Sequence, residues 1–339
     1  MRKLYKSGAA VVLAMSLAAS LAACGSKDKN TDTEGGKELK KITLTLDWTP
    51  NTNHTGLYVA KDKGYFKEAG LDVEIVQSSE DAAEQIVGSG KAEFGISFQD
   101  TLAACYSADE KIPITAVATL LQHNTSGIVS RKGEGMTSPK GLEGKKYATW
   151  QNPIEQAMIK NVMEKDGGDF SKLKMVPLTV DDEVSTLKAK TVDAIWIYYG
   201  WAGIACEEAK LDTDYFAFRD INPVFDYYTP VIIGNDQFLK ENADTVKAFL
   251  QAVEKGYKDA IANAEEAAEI LCNNGEGLSK DLVLASQKYM NDQYMAEVSQ
   301  WGYMDPARWN AFYNWLNDNE LVKNKIPENT GFTNEYLPQ

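Results

Sequence analysis

The chain has 339 residues, 44% hydrophobic and 25% charged, which is ordinary globular composition and length for roughly two domains. Acidic residues outnumber basic ones 49 to 35, and the formal charge of −14 excludes a nucleic-acid binder relying on a basic face. With two histidines, His54 and His123, and four cysteines without close spacing, no metal-binding motif is present in the sequence.

The N-terminus reads as an export signal. "MRKLYK" is a basic start, "SGAAVVLAMSLAAS" is an apolar stretch too short to span a bilayer comfortably, and "LAAC" places small residues before Cys24. That ending resembles a bacterial lipobox, which implies cleavage after residue 23 and a lipid on Cys24, holding the chain on the extracytoplasmic face of the cell membrane. A plain secretory signal ending at an Ala-x-Ala-like site is the alternative. Removing Arg2, Lys3 and Lys6 leaves 32 basic against 49 acidic residues, a net charge of −17 that favours solubility. Residues 24–40, polar except for Leu39 after the cysteine, form a flexible tether. Cys105, Cys206 and Cys272 remain; each reads as a small buried apolar residue, with one disulfide among them as the alternative.

From residue 41 strands and helices alternate. "KITLTLDW" alternates apolar and polar residues up to a proline turn, and "TGLYVAKDKGYFKEAG" is helical until Gly70. "LDVEIVQ", "AEFGISF" and "IPITAVATLL" are strands, separated by helical "SEDAAEQIVGSG" and "QDTLAACYSA". After "GMTSPKGLEGKK" a second block repeats the alternation through "KYATW", "LKMVPLTV" and "VDAIWIYY". "VIIGN" is a further strand, expected to return to the first sheet, and helices follow it. In one of them Val246, Phe249, Leu250, Val253 and Tyr257 mark a single face. The fold class is therefore α/β, with two lobes and a helical C-terminal part. Lobe I is expected over 41–130 and again over 226–339, and lobe II over 131–225, with crossings near 125–135 and 220–230.

Ligands of open α/β sheets bind where loops converge at the carboxyl ends of strands. In this chain those positions are 47–54, 98–100, 150–155 and 196–201, together with 226–229 at the crossing. They hold four of the seven tryptophans, which describes a pocket for a flat, polar ring.

"LDWTPNTNHTGLYVAKDKGYFKEAGLDVEIV", "GSGKAEFGIS" and "DYYTPVIIGNDQFL" together resemble the NMT1/THI5-like family over residues 41 to about 320. Within it the resemblance points to the ThiY-type branch, substrate-binding lipoproteins of ABC transporters that capture formylaminopyrimidine, a thiamin breakdown product. It implies a type II periplasmic-binding-protein fold, a monomer, a transporter permease as partner and no cofactor. The family also has an enzyme branch that makes the thiamin pyrimidine. That branch has a Schiff-base lysine where this chain has Ser97, a sacrificial histidine where it has Thr101, and a cysteine run where it has "VFDYY", 224–228. All three features are missing here, so the expectation is a binding protein and not an enzyme.

The candidate ligand residues each carry an alternative. Trp48 either stacks on the ring or belongs to the core. Asn53 and His54 supply donors and acceptors, or His54 caps the following helix. Glu155 either accepts from an aminopyrimidine amine or answers the dipole of its helix. Trp150, Tyr199 and Trp201 form the facing aromatic wall, whereas Trp196 and Tyr198 read as core. Phe98 and Gln99 follow a strand end, where Gln99 can read a polar ring edge. Asp226 and Tyr228 either touch ligand or lock the hinge. Riboflavin and sulfonate, nitrate or taurine remain the alternative ligands, although no arginine stands at the cleft positions.

Overall fold

The computed structural model describes residues 38–77 and 82–339; the export signal, Cys24 and residues 25–37 of the tether lie outside the described residues. Among the described residues, ten strands build two five-stranded sheets. In chain order they are β1 (Lys40–Thr45), β2 (Leu71–Val76), β3 (Phe94–Ser97), β4 (Ile114–Thr119), β5 (Ser126–Arg131), β6 (Lys146–Thr149), β7 (Lys174–Pro177), β8 (Ala194–Tyr198), β9 (Thr213–Ala217) and β10 (Val231–Asn235). The first sheet has the order β2-β1-β3-β10-β4 and the second β7-β6-β8-β5-β9. Each sheet is parallel except for one strand, β10 in the first and β5 in the second, which runs antiparallel between two neighbours. These are the strands that carry the chain into each sheet from the other. The α/β class and the return of "VIIGN" to the first sheet are thus observed.

The first crossing occupies 120–125, earlier than the expected 125–135, because Ser126–Arg131 is already a buried strand of the second sheet. The second runs over 222–230. Asp226 ties the two together: it accepts a 2.7 Å bond from His123 Nδ1 and a 2.9 Å bond from the Asn124 backbone, while Asn124 Nδ2 donates to the Phe225 carbonyl at 2.9 Å. His123 Nε2 also reaches Glu297 at 2.8 Å. The hydrogen bond to Asp226, reinforced by Glu297, raises the His123 pKa.

Helices cover the sheets: α1 (Thr55–Asp62), α2 (Tyr65–Glu68), α3 (Ala83–Gly88), α4 (Gln99–Ser107), α5 (Pro153–Lys165), α6 (Glu183–Lys188), α7 (Ile204–Glu208), α8 (Phe218–Ile221), α9 (Asp236–Glu241), α10 (Ala243–Ala262), α11 (Ala264–Asn274), α12 (Lys280–Tyr294) and α13 (Pro306–Asp318). The predicted face of α10 is buried in full, with the Phe249 ring 4.1 Å from Phe94 and 5.5 Å from Phe66. Helices α1 and α10 touch backbone to backbone: a Cβ on Gly256 would lie 2.0 Å from the Gly56 carbonyl oxygen, so only glycine fits there. The aromatic α13 packs on α4 and the second crossing, through Tyr313 against Tyr106 and Phe312 stacked 4.1 Å from Tyr227. Cys105 and Cys206 are buried, Cys272 is half-buried, and all three are free.

Candidate functional site

The carboxyl ends of β1 and β3 in the first sheet and of β6, β7 and β8 in the second face one cavity of about 330 Å³. Lobe I contributes Asp47 and Trp48 after β1, Asn51 and Asn53 from the following turn, Phe98 after β3, and Leu121 and Pro230 from the crossings. From lobe II come Ala148 and Trp150 around the end of β6, Leu178, Val180 and Glu183 after β7, and Ile195 through Tyr198 of β8. Trp201 and Ala202 complete the lining. They stand in a π-helical turn, Tyr199–Gly203, whose extra residue per turn interrupts the regular helix just before α7.

Two features set the character of this cavity. The first is aromatic. Trp48 and Trp150 are 48% and 49% exposed, and they are the exposed large hydrophobic side chains of the described residues, one from each lobe. Apolar rings left half in water at a cleft mark a surface that a partner covers. Behind Trp150, Trp196 lies at 5.6 Å and in turn packs 4.3 Å from Phe218. Phe98 and Tyr198 stack across the lobes at 6.3 Å with ring planes 17° apart.

The second feature is electrostatic. Among the described lining residues there is no lysine, arginine or histidine, but there are two carboxylates, Asp47 and Glu183. His54 Nε2 lies 2.7 Å from Asp47 Oδ1, and its Nδ1 accepts from the Asn51 backbone N–H at 3.3 Å. Nε2 is therefore the nitrogen that carries the proton and donates to Asp47. Burial raises the Glu183 pKa above the ordinary carboxylate value.

Of the residues singled out in the sequence, the structure brings Trp48, Asn53, Phe98, Trp150 and Trp201 to the cavity. The others stand elsewhere. His54 is fully buried behind Asp47. Gln99 is in the core, donating to the Trp309 carbonyl and accepting from the Tyr228 N–H, each at 2.9 Å. Glu155 faces inward beneath its own loop, accepting from the Tyr147 hydroxyl at 2.5 Å, from Thr149 Oγ1 at 3.1 Å, and from the Trp150 and Asn152 backbones at 3.2 Å. That geometry ties Glu155 to its own helix start, as the dipole reading expects and the ligand reading does not, and it goes further by closing a capping box with Asn152.

Tyr199 packs between Tyr215 and Tyr289 of α12, where lobe II rests on the C-terminal helices. Asp226 is the tie between the crossings, and buried Tyr228 accepts from the Asp305 N–H at 2.7 Å beneath the Arg308 guanidinium. Conversely, Trp196 and Tyr198, read as core, line the cavity as well. Leu178, Val180 and Glu183 were missed altogether, although they follow β7 and the strand-end rule reaches them once that strand is counted.

Residues 51–267 match the family described as NMT1/THI5 like. The formylaminopyrimidine-binding protein of Halalkalibacterium halodurans is 24% identical over 323 residues, 92% of this chain and 94% of that one. A 4-amino-5-hydroxymethyl-2-methylpyrimidine phosphate synthase of Saccharomyces cerevisiae is 26% identical over 329 residues, 88% of each chain. Among solved structures, the periplasmic aliphatic sulphonate binding protein SsuA of Escherichia coli superposes with a TM-score of 0.65 at 13% identity, covering 85% of this chain and 95% of the other. That likeness establishes the periplasmic-binding-protein fold. With the family match spanning more than half of its length, the chain belongs to the NMT1/THI5-like family.

Proposed function

We propose that the protein is the extracytoplasmic solute-binding component of an ABC importer and captures a thiamin pyrimidine precursor or breakdown product of the formylaminopyrimidine or hydroxymethylpyrimidine type. The observation that carries this reading is the pair of half-exposed tryptophans, Trp48 and Trp150, framing one cavity from opposite lobes. A flat ring entering there stacks on indole faces and covers apolar surface that is otherwise wet. Contacts made to both lobes at once favour the closed arrangement, and closure presents both lobes to the permease. The polar edge of the ring meets Asn51 and Asn53 from lobe I. The relative that binds formylaminopyrimidine supports this ligand class.

The lining also supports a ring over an anion, since a sulfonate or nitrate needs cationic or N–H-rich contacts and the described lining holds no cationic side chain. Against the synthase reading, Ser97 is buried with its hydroxyl donating to Glu84, Thr101 is an exposed residue of α4, and 224–228 pack at the hinge. We further assign Cys24 as the lipid attachment site, residues 25–39 as the tether, one residue shorter than expected because Lys40 already pairs with Leu71 in β1, and the monomer as the working form. A thermal-shift titration of the chain from Gly25 onward tests the ligand class. An aminopyrimidine at 100 times its dissociation constant stabilises the fold by about 2.7 kcal/mol. A shift with sulfonates or riboflavin alone would keep the importer role and overturn the ligand.

A further inference from the structure

Two carboxylates border the cavity, and the donors that answer them among the described residues are few. Asp47 spends Oδ1 on His54, and His54 cannot turn away, because its Nδ1 is held by the Asn51 N–H and the ring is fully buried. Asp47 Oδ2 has no hydrogen-bond partner among the described residues. Across the cleft, Glu183 opens the short helix α6 after its cap Asp182. No side-chain donor or cation among the described residues pairs with it, and its neighbours Asp181 and Asp182 add negative charge. One carboxylate belongs to each lobe, and both border the same space.

We propose that Asp47 and Glu183 form a clasp that reads the charge of the ligand: the cleft closes on a nitrogenous ring that offers N–H donors or positive charge to both lobes, and rejects the same ring bearing an anionic substituent. Closing an empty cleft would bring two carboxylates together and strip water from both, which disfavours closure without ligand. A ligand with N–H groups toward each lobe supplies the missing donors, and charge-assisted bonds of this kind are the stronger ones. The aromatic faces then bind the ring, while the carboxylates decide which ring edge and which net charge the cleft accepts. A phosphorylated ring would place an anion among acceptors, with no cation in the described lining to offset it. The clasp rests on the ring-binding reading above and adds a charge filter to it.

The test uses one aminopyrimidine ring with three substituents: aminomethyl (cationic), hydroxymethyl (neutral) and phosphoryloxymethyl (anionic). Isothermal titration of the wild type should show the anion binding at least about tenfold more weakly than the neutral ring, with the cation binding at least as well as the neutral ring. Glu183→Gln should narrow the gap between anion and neutral ring, and the double variant Asp47→Asn, Glu183→Gln should narrow it further. Melting curves without ligand show whether each variant is folded, and Glu183→Gln alone, at an open helix start, is enough to decide the matter. An unchanged order and spacing of the three affinities in folded Glu183→Gln overturns the clasp. Equal affinities of the wild type for all three overturn the clasp but leave ring binding intact. If none of the three binds the wild type, ring binding falls and the clasp falls with it.

Discussion

The loop after β1 in one lobe and the loop after β6 in the other share a plan. Each carries a half-exposed tryptophan, Trp48 or Trp150, then an asparagine that caps the next helical turn, Asn51 or Asn152. Three positions beyond the cap, a polar side chain bonds back to the cap's own N–H: His54 in the first loop, Glu155 in the second. The loops differ in what that last residue does to nearby charge. Glu155 is itself the charge, and four donors within its own lobe occupy it, so it offers nothing to a ligand. His54 is a donor, and it fixes Asp47 at the cavity by one oxygen while the other has no partner among the described residues. One loop seals its carboxylate in; the other holds one out.

That contrast can be broken at several points. The largest effect is expected at Glu155→Ala, which strands the Tyr147 hydroxyl and two backbone N–H groups in a buried site. It should cost about 3 kcal/mol or more in chemical denaturation, with Glu155→Gln costing less. An undiminished stability would mean that the buried carboxylate does not hold the loop.

Asp100 sharpens the comparison, because it also stands in the first turn of a helix that follows a strand, yet its Oδ1 is buried with no partner among the described residues. Burial pushes its pKa up to about 6 from 3.8, against the opposing pull of its own and Thr101's N–H groups. Because the folded value is the higher one, the fold favours the protonated acid. Stability from this group is greatest below pH 3.8 and falls as pH rises to about 6, then stays level. The difference in unfolding free energy between wild type and Asp100→Asn should therefore shift by about 3 kcal/mol across that window, in favour of the variant at the higher pH. A flat difference would show that the carboxyl is solvated or paired.

The tryptophans should separate binding from stability. Trp48→Ala is expected to weaken ring binding by about 2 kcal/mol, roughly thirtyfold, as read by calorimetry. Its melting point should change little, since about half of the side chain is already in water. Trp150→Ala should behave alike, with a slightly larger stability loss from its contact with Trp196. The smallest effect is expected for His54→Asn, about 1 kcal/mol in denaturation. A much larger loss would make His54 the counterpart of Glu155 in weight as well as in position.

Much of the architecture was legible because it depends on local rules. The period-two strand of residues 40–45, the 3,4-spaced face of α10 and the strand-end position of the tryptophans follow from backbone geometry and need no partner. The family was legible in "DWTPNTNH" and its neighbours for the same reason: the motif is contiguous in the chain. The site was only partly legible. Sequence places Phe98 and Gln99 side by side at one strand end, yet successive side chains point to opposite faces, so Phe98 reaches the cavity while Gln99 turns to Trp309. The charge of Glu155 drew attention because no sequence rule shows that Tyr147 and Thr149 lie beneath it.

By itself, then, the sequence determined the alternation of elements, the two-lobed class, the family and the aromatic character of the cleft, all consequences of pattern along one chain. The tertiary structure decided which polar groups face the cavity and which face the protein. It turned His54 and Glu155 inward, left Asp47 and Glu183 at the cavity, and set the first crossing at 120–125 instead of near 125–135. Those choices depend on which donors arrive from strands and helices far away in sequence, and a buried charge goes where such donors meet it.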